Sequence, residues 1–213
     1  RGLRWNILLR NIGIKKRTKN LSEIYFLSWF ANLIFPAKLG DLYRSYLFKK
    51  NYNHSKSEIM GTVFMERFID VIFLIIFLTL SGFIIFKDKF SKTMQDTLIL
   101  AYVLLIVIIV SFILIKKLRL KLARLLPKRF QHVIPEFEKS ASNCIKRNNI
   151  IGLISITLIY WVLESSTLYF AAKALNIDLS FTIIIFVTLI AALISTIPIT
   201  PSGAGFAEAG VTG

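Results

Sequence analysis

Residues 97–115 read TLILAYVLLIVIIVSFILI, nineteen in a row without a charge. At ~1.5 Å of rise per residue such a helix is about 28 Å long, close to the hydrocarbon thickness of a bilayer. The stretch predicts a membrane span and sets the frame for the rest of the chain. Three further stretches are comparable. Ile69–Phe86 is apolar except for Asp70, Thr79, Ser81 and Gly82, Ile150–Ala172 carries one charge, Glu164, and Phe181–Ile197 runs into Pro198. The fold class expected is an all-α polytopic membrane protein. It is a helix bundle of about four spans plus one or two re-entrant segments broken by Pro and Gly.

Composition supports this frame. The 213 residues are 55% hydrophobic and carry 27 Lys+Arg against 12 Asp+Glu, a net charge of +15. That is too apolar for disorder and for an ordinary soluble domain, where about 45–50% apolar is usual even counting Gly. A soluble nucleic-acid binder could be as basic but not as apolar, so nucleic acid is not expected as a partner. The single Cys144 excludes a disulfide framework. No cleavable signal peptide is visible, and the start at Arg1 and stop at Gly213 read as a fragment with a single transmembrane domain over 1–213.

The basic residues predict orientation. Residues 1–20 hold seven Lys/Arg and no acid, 37–68 hold six, and 116–148 hold ten. The positive-inside rule places all three segments in the cytoplasm. Both flanks of Leu21–Pro36 are then on one side, so 21–44 is expected to dip in and return as a re-entrant hairpin near Pro36 and Gly40. The alternative is a short tilted span that breaks the charge rule. Within 116–148, leucines at 118, 120, 122, 125 and 126 interleave with basic residues. They are expected to form an amphipathic helix on the anionic inner leaflet.

A second broken segment follows the last apolar run. Pro198, Pro201, Gly203, Gly205 and Glu208 repeat the early pattern of Asn32, Pro36, Lys38, Gly40 and Asp41: apolar helix, Pro, small residues, carboxylate. Three spans separate the two, which reverses their orientation. Tips meeting near the midplane are expected, as in transporters built from inverted repeats.

Charges at bilayer depth are the other signal, because each costs about 2.5–3.5 kcal/mol on insertion scales. Glu66, Arg67 and Asp70 open the Ile69–Phe86 span, at spacings that let them pair on one helix. Glu164 lies mid-span and is expected to face the interior, protonated or paired with Arg67 or Lys38. Lys38 and Arg44 could hold a phosphate or simply anchor the inner edge. His54 and His132 stand alone, and no metal, cofactor or hydrolase motif appears, so chemistry within the chain is not expected.

Asn32, Pro36, Gly40, Asp41 and Arg44, then Glu66-Arg67-x-x-Asp70, then Pro198-x-x-Pro201-x-Gly203-x-Gly205-x-x-Glu208 resemble the transmembrane region of lysylphosphatidylglycerol synthase. This flippase-like domain also occurs in the multiple peptide resistance factor, in uncharacterised integral membrane proteins and near some archaeal dolichol-phosphate glycosyltransferases. Arg4-Trp5 resembles the family's basic–aromatic element, and Asp41 departs from its more frequent Glu. The resemblance implies a multi-pass protein of a bacterial or archaeal plasma membrane that binds and translocates a lipid. The implied partners are an anionic phospholipid or an aminoacylated or lipid-linked headgroup, with a homo-oligomer possible. Two alternatives stand beside it: the membrane part of a lipid aminoacyl- or glycosyltransferase, and a scaffold that transports nothing.

Overall fold

A computed structural model describes residues 1–35, 38–86, 92–125, 127 and 130–195. Its described elements are helical: α1 Gly2–Asn11, α2 Thr18–Ile34, α3 Leu39–Tyr52, α4 Lys56–Phe86, α5 Lys92–Leu125, α6 Val133–Asn143, α7 Ile150–Ala174 and α8 Phe181–Ile194, with a short 3-10 turn at Arg147–Asn149. Three of the described helices are long and apolar enough to cross a membrane, over Lys56–Ile85, Ala101–Leu118 and Arg147–Ala174. Large apolar side chains stand exposed along them, among them Ile84, Ile106 and Ile159. On a soluble protein such a surface would aggregate; here it is the surface that lipid covers. The protein is an all-α, multi-pass membrane protein.

The expected hairpin is present. α2 and α3 pack antiparallel, and Ser28 Oγ donates to the Gly40 carbonyl at 2.7 Å. Gly40 is required by this close approach, since a Cβ there would meet the Ser28 carbonyl oxygen and come within 2.6 Å of Asn32 Oδ1. Both far ends of the hairpin return to one side. Asn6 Nδ2 donates to Thr18 Oγ1 near the start of α2, and Phe48 near the end of α3 packs edge-on to Trp5.

Three expectations change. First, α4 begins at Lys56, thirteen residues before the expected span, so Glu66, Arg67 and Asp70 lie inside a 31-residue helix and do not open it. The apolar run alone hid this, because residues 56–68 carry charges, of which Glu66 and Arg67 are paired by α1 and α3. Second, residues 116–125 continue α5 without a break, so the leucine–lysine run is the end of a 34-residue helix and not a separate surface helix. α6 then packs on α4, where a Cβ on Gly61 would come within 2.5 Å of the Phe137 carbonyl. Third, residues 1–11, read from the sequence only as part of a basic segment, form a packed helix. α1 runs antiparallel to α7: Arg1 faces Glu164, Arg4 reaches Thr157, and Asn11 meets Asn149 and the Cys144 carbonyl. Trp5, Leu8 and Leu9 are wholly buried there.

α8 is 14 residues long, about 21 Å at ~1.5 Å per residue, too short to cross alone. It starts near the far end of α7, where Phe181 packs on Tyr169, and runs back towards Trp161, against which Leu189 and Leu193 pack.

Candidate functional site: a buried charge ring beside a cavity

Six charged side chains from three helices close into one network. From α4, Glu66 receives Arg44 Nη1 at 2.6 Å, Arg4 Nη2 at 3.0 Å and the Tyr25 hydroxyl at 2.9 Å. Arg4 also grips Asp70 through both terminal nitrogens, at 2.5 and 2.9 Å. Asp41 accepts a two-pronged bond from Arg67, at 2.9 and 3.0 Å, and a third from Arg44 at 3.1 Å. Asn32 Nδ2 adds a contact to Asp41 at 3.3 Å. Arg44 stacks over the Tyr25 and Trp5 rings, at 4.2 and 5.2 Å. Three guanidinium groups thus face three carboxylates, and the ring is neutral.

Its depth follows from α7. Arg4 Nη1 donates to Thr157 Oγ1, seven residues beyond Ile150, which is about 10 Å into the helix at ~1.5 Å per residue. Buried ions are costly to desolvate, and only close pairing with all acceptors filled makes them tolerable. Arg is the suitable cation here because its planar fork serves two carboxylates at once.

Beside the ring lies a cavity of about 690 Å³. Its polar wall residues come from the hairpin (Ser28, Asn32, Lys38), α4 (Arg67, Asp70), α7 (Glu164, Thr167) and α8 (Thr188), and apolar side chains such as Trp29, Leu74, Trp161 and Leu168 supply the larger share of the lining. The tip of the hairpin and the described end of α8 therefore reach one cavity from opposite sides.

The structure sorts the expected site residues. Asn32, Lys38, Gly40, Asp41, Arg44, Glu66, Arg67 and Asp70 are brought together. Arg44 and Glu66, however, are fully buried and saturated by each other and their neighbours, so neither is free to meet a ligand. Glu164 faces the cavity and is half exposed, and its partner is Arg1 at 3.9 Å, neither Arg67 nor Lys38. Pro36, Pro198, Pro201, Gly203, Gly205 and Glu208 lie outside the described residues. Arg4, Tyr25, Ser28 and Thr157 were missed as members of the site. Arg4 pairs across 62 and 66 positions, a separation at which no spacing rule operates; the adjoining Trp5 was its sole sequence mark. Among the described residues no group of three His, Cys, Asp or Glu could hold a metal ion.

The profile of the family described as lysylphosphatidylglycerol synthase TM region matches residues 1–213. The chain belongs to this family. Among relatives, the UPF0104 membrane protein MJ1078 of Methanocaldococcus jannaschii is 35% identical over 183 residues, 84% of this chain and 76% of that protein. A UPF0104 membrane protein of Methanothermobacter thermautotrophicus is 26% identical over 95% of this chain and 67% of its own length. Glycosyltransferase AglD of Haloferax volcanii is 32% identical over 72 residues, 34% of this chain and 12% of that protein. No solved structure matches. In this member of the lysylphosphatidylglycerol synthase transmembrane family, Asp41 and Arg44 of the hairpin pair with Arg67 and Glu66 of α4, and Asn32 reaches Asp41.

Proposed function

We propose that this protein binds a lipid headgroup in the cavity between the α2–α3 hairpin, α7 and α8, and passes it across the membrane. The observation that carries the reading is that the α2–α3 hairpin and the described end of α8 reach, from opposite sides, one cavity whose largely apolar wall carries charged and polar side chains. A headgroup needs such a chamber, because moving a charge through hydrocarbon costs several kcal/mol. The acyl tails need only the apolar outer faces of the helices, which are already exposed. The neutral ring is the chamber's rigid floor. Arg67 lines the cavity, links floor to hairpin through Asp41, and has its remaining nitrogen, Nη1, 3.7 Å from Asp70. In this reading the ring end of the bundle, with the basic end of α5 and residues 139–147, faces the cytoplasm of a plasma membrane.

Fluorescent phospholipid translocation in proteoliposomes tests the reading. Arg67→Ala, and Glu208→Ala in the second broken motif, are expected to lower the rate by about tenfold, the effect of losing roughly 1.4 kcal/mol of charge-assisted contact. Rates equal to wild type in well-folded variants would contradict the assignment.

The match to a protein named as a glycosyltransferase supports a second reading, in which the same cavity presents a lipid acceptor to a transferase. A transferase domain in the same open reading frame, with lipid-linked product lost on Arg67→Ala, is the outcome that would favour it.

A further inference from the structure

Among the described residues, which do not include Glu208, the charges lining the cavity leave one cation over. The six ring charges cancel in close pairs, and Arg1 pairs with Glu164 at 3.9 Å in the cavity wall. Lys38 is left over. Its side chain is half buried in the cavity wall, and among the described residues no carboxylate lies within ion-pair distance of Nζ. It also sits in a left-handed backbone conformation, φ 51 and ψ 38, a region that side chains other than Gly, Asn and Asp seldom adopt. A half-buried ammonium without a counter-charge among its described neighbours is unfavourable unless something anionic comes to it.

Resting on the lipid reading above, we propose that the cavity selects lipids of net negative charge, with the headgroup phosphate held between Lys38 Nζ and Arg67 Nη1. An aminoacylated lipid of net positive charge is then disfavoured. Its added ammonium groups would find among the described wall residues only Glu164, already shared with Arg1, and Asp70, already gripped by Arg4. Lys suits this position as a point charge with three free donors, while Arg67 has two of its three nitrogens committed to Asp41.

The test is calorimetric titration of the purified protein in detergent with four probes: short-chain phosphatidylglycerol, its lysyl ester, short-chain phosphatidylcholine and inorganic phosphate. Phosphatidylglycerol is expected to bind about tenfold tighter than the lysyl ester, a difference of one favourable charge contact. Lys38→Ala is expected to abolish that preference and Lys38→Arg to keep it. Should Lys38→Ala not fold, the comparison of probes on the wild-type protein and on Lys38→Arg still decides. Equal affinity for the two lipids, or tighter binding of the lysyl ester, overturns the charge selection and leaves the lipid reading standing. Inorganic phosphate binding as tightly as the lipid overturns the lipid as source, and the lack of any saturable lipid binding overturns both.

Discussion

Glu66 has no exposed surface, yet it is satisfied by two arginines and a tyrosine from three different helices. Removing it leaves Arg4 and Arg44 short of a counter-charge in a dry site. Glu66→Ala is therefore expected to destabilise by about 3–5 kcal/mol, seen as a large fall in the thermal midpoint in detergent. Glu66→Gln, which keeps the shape and one acceptor, should lose less. Cys144 gives a residue-scale prediction outside the membrane-crossing helices. It is wholly buried at the end of α6, and burial pushes its thiol up to about 12. At pH 8 it is then almost entirely the unreactive thiol, so alkylation of the folded protein should be slow and should become fast in denaturant. At this scale the i, i+3 and i, i+4 spacing of Glu66, Arg67 and Asp70 was readable, because a helix brings such residues together by geometry alone. Arg4 was not, since its partners lie across the fold. Glu164 was legible as a polar residue in a span, but its partner was not, because Arg1 comes near it only through the packing of α1 on α7.

The α2–α3 hairpin carries the argument at the scale of elements. Its tight crossing depends on Gly40, so Gly40→Ala should force the helices apart and loosen the Asp41 contacts to Arg44 and Arg67. Overpacking of this kind costs about 1–3 kcal/mol, or more where backbone is the obstacle. Topology is checked separately by single cysteines at Lys19 and Asn51, near the two open ends. Both should label from the same side of the membrane with an impermeant thiol reagent; labelling from opposite sides would mean that the segment spans. The hairpin was foreseeable because charge parity forbids a single crossing there. The lengths of α4 and α5 were not, since hydropathy marks where a helix is apolar and not where it ends. Both helices run on beyond their apolar cores as polar helix, and the start of α4 is held by α6, whose Glu136 accepts from Ser55 just ahead of α4.

For the whole molecule, the basic surplus divides into two populations. Arg4, Arg44 and Arg67 are internal structural ions, matched one for one by Asp41, Glu66 and Asp70. Of the others, Arg1 pairs with Glu164, Lys173 pairs with Asp178 and Lys38 lines the cavity. The all-helical, multi-pass fold was legible from apolar run lengths, and the family from its motifs. What the runs could not convey is that α1 lies along α7 and that α8 ends at the cavity, since both depend on which helices pack together. The central claim is that a headgroup travels through this cavity and not along the outer surface. It is tested by attaching an anionic methanethiosulfonate reagent to Ala191→Cys in the cavity wall and, as control, to Ile106→Cys on the exposed face of α5, with lipid translocation measured before and after. The cavity route predicts that modification of Ala191→Cys slows translocation by about tenfold while modification of Ile106→Cys leaves it unchanged. Full labelling of Ala191→Cys with no change in rate would contradict it.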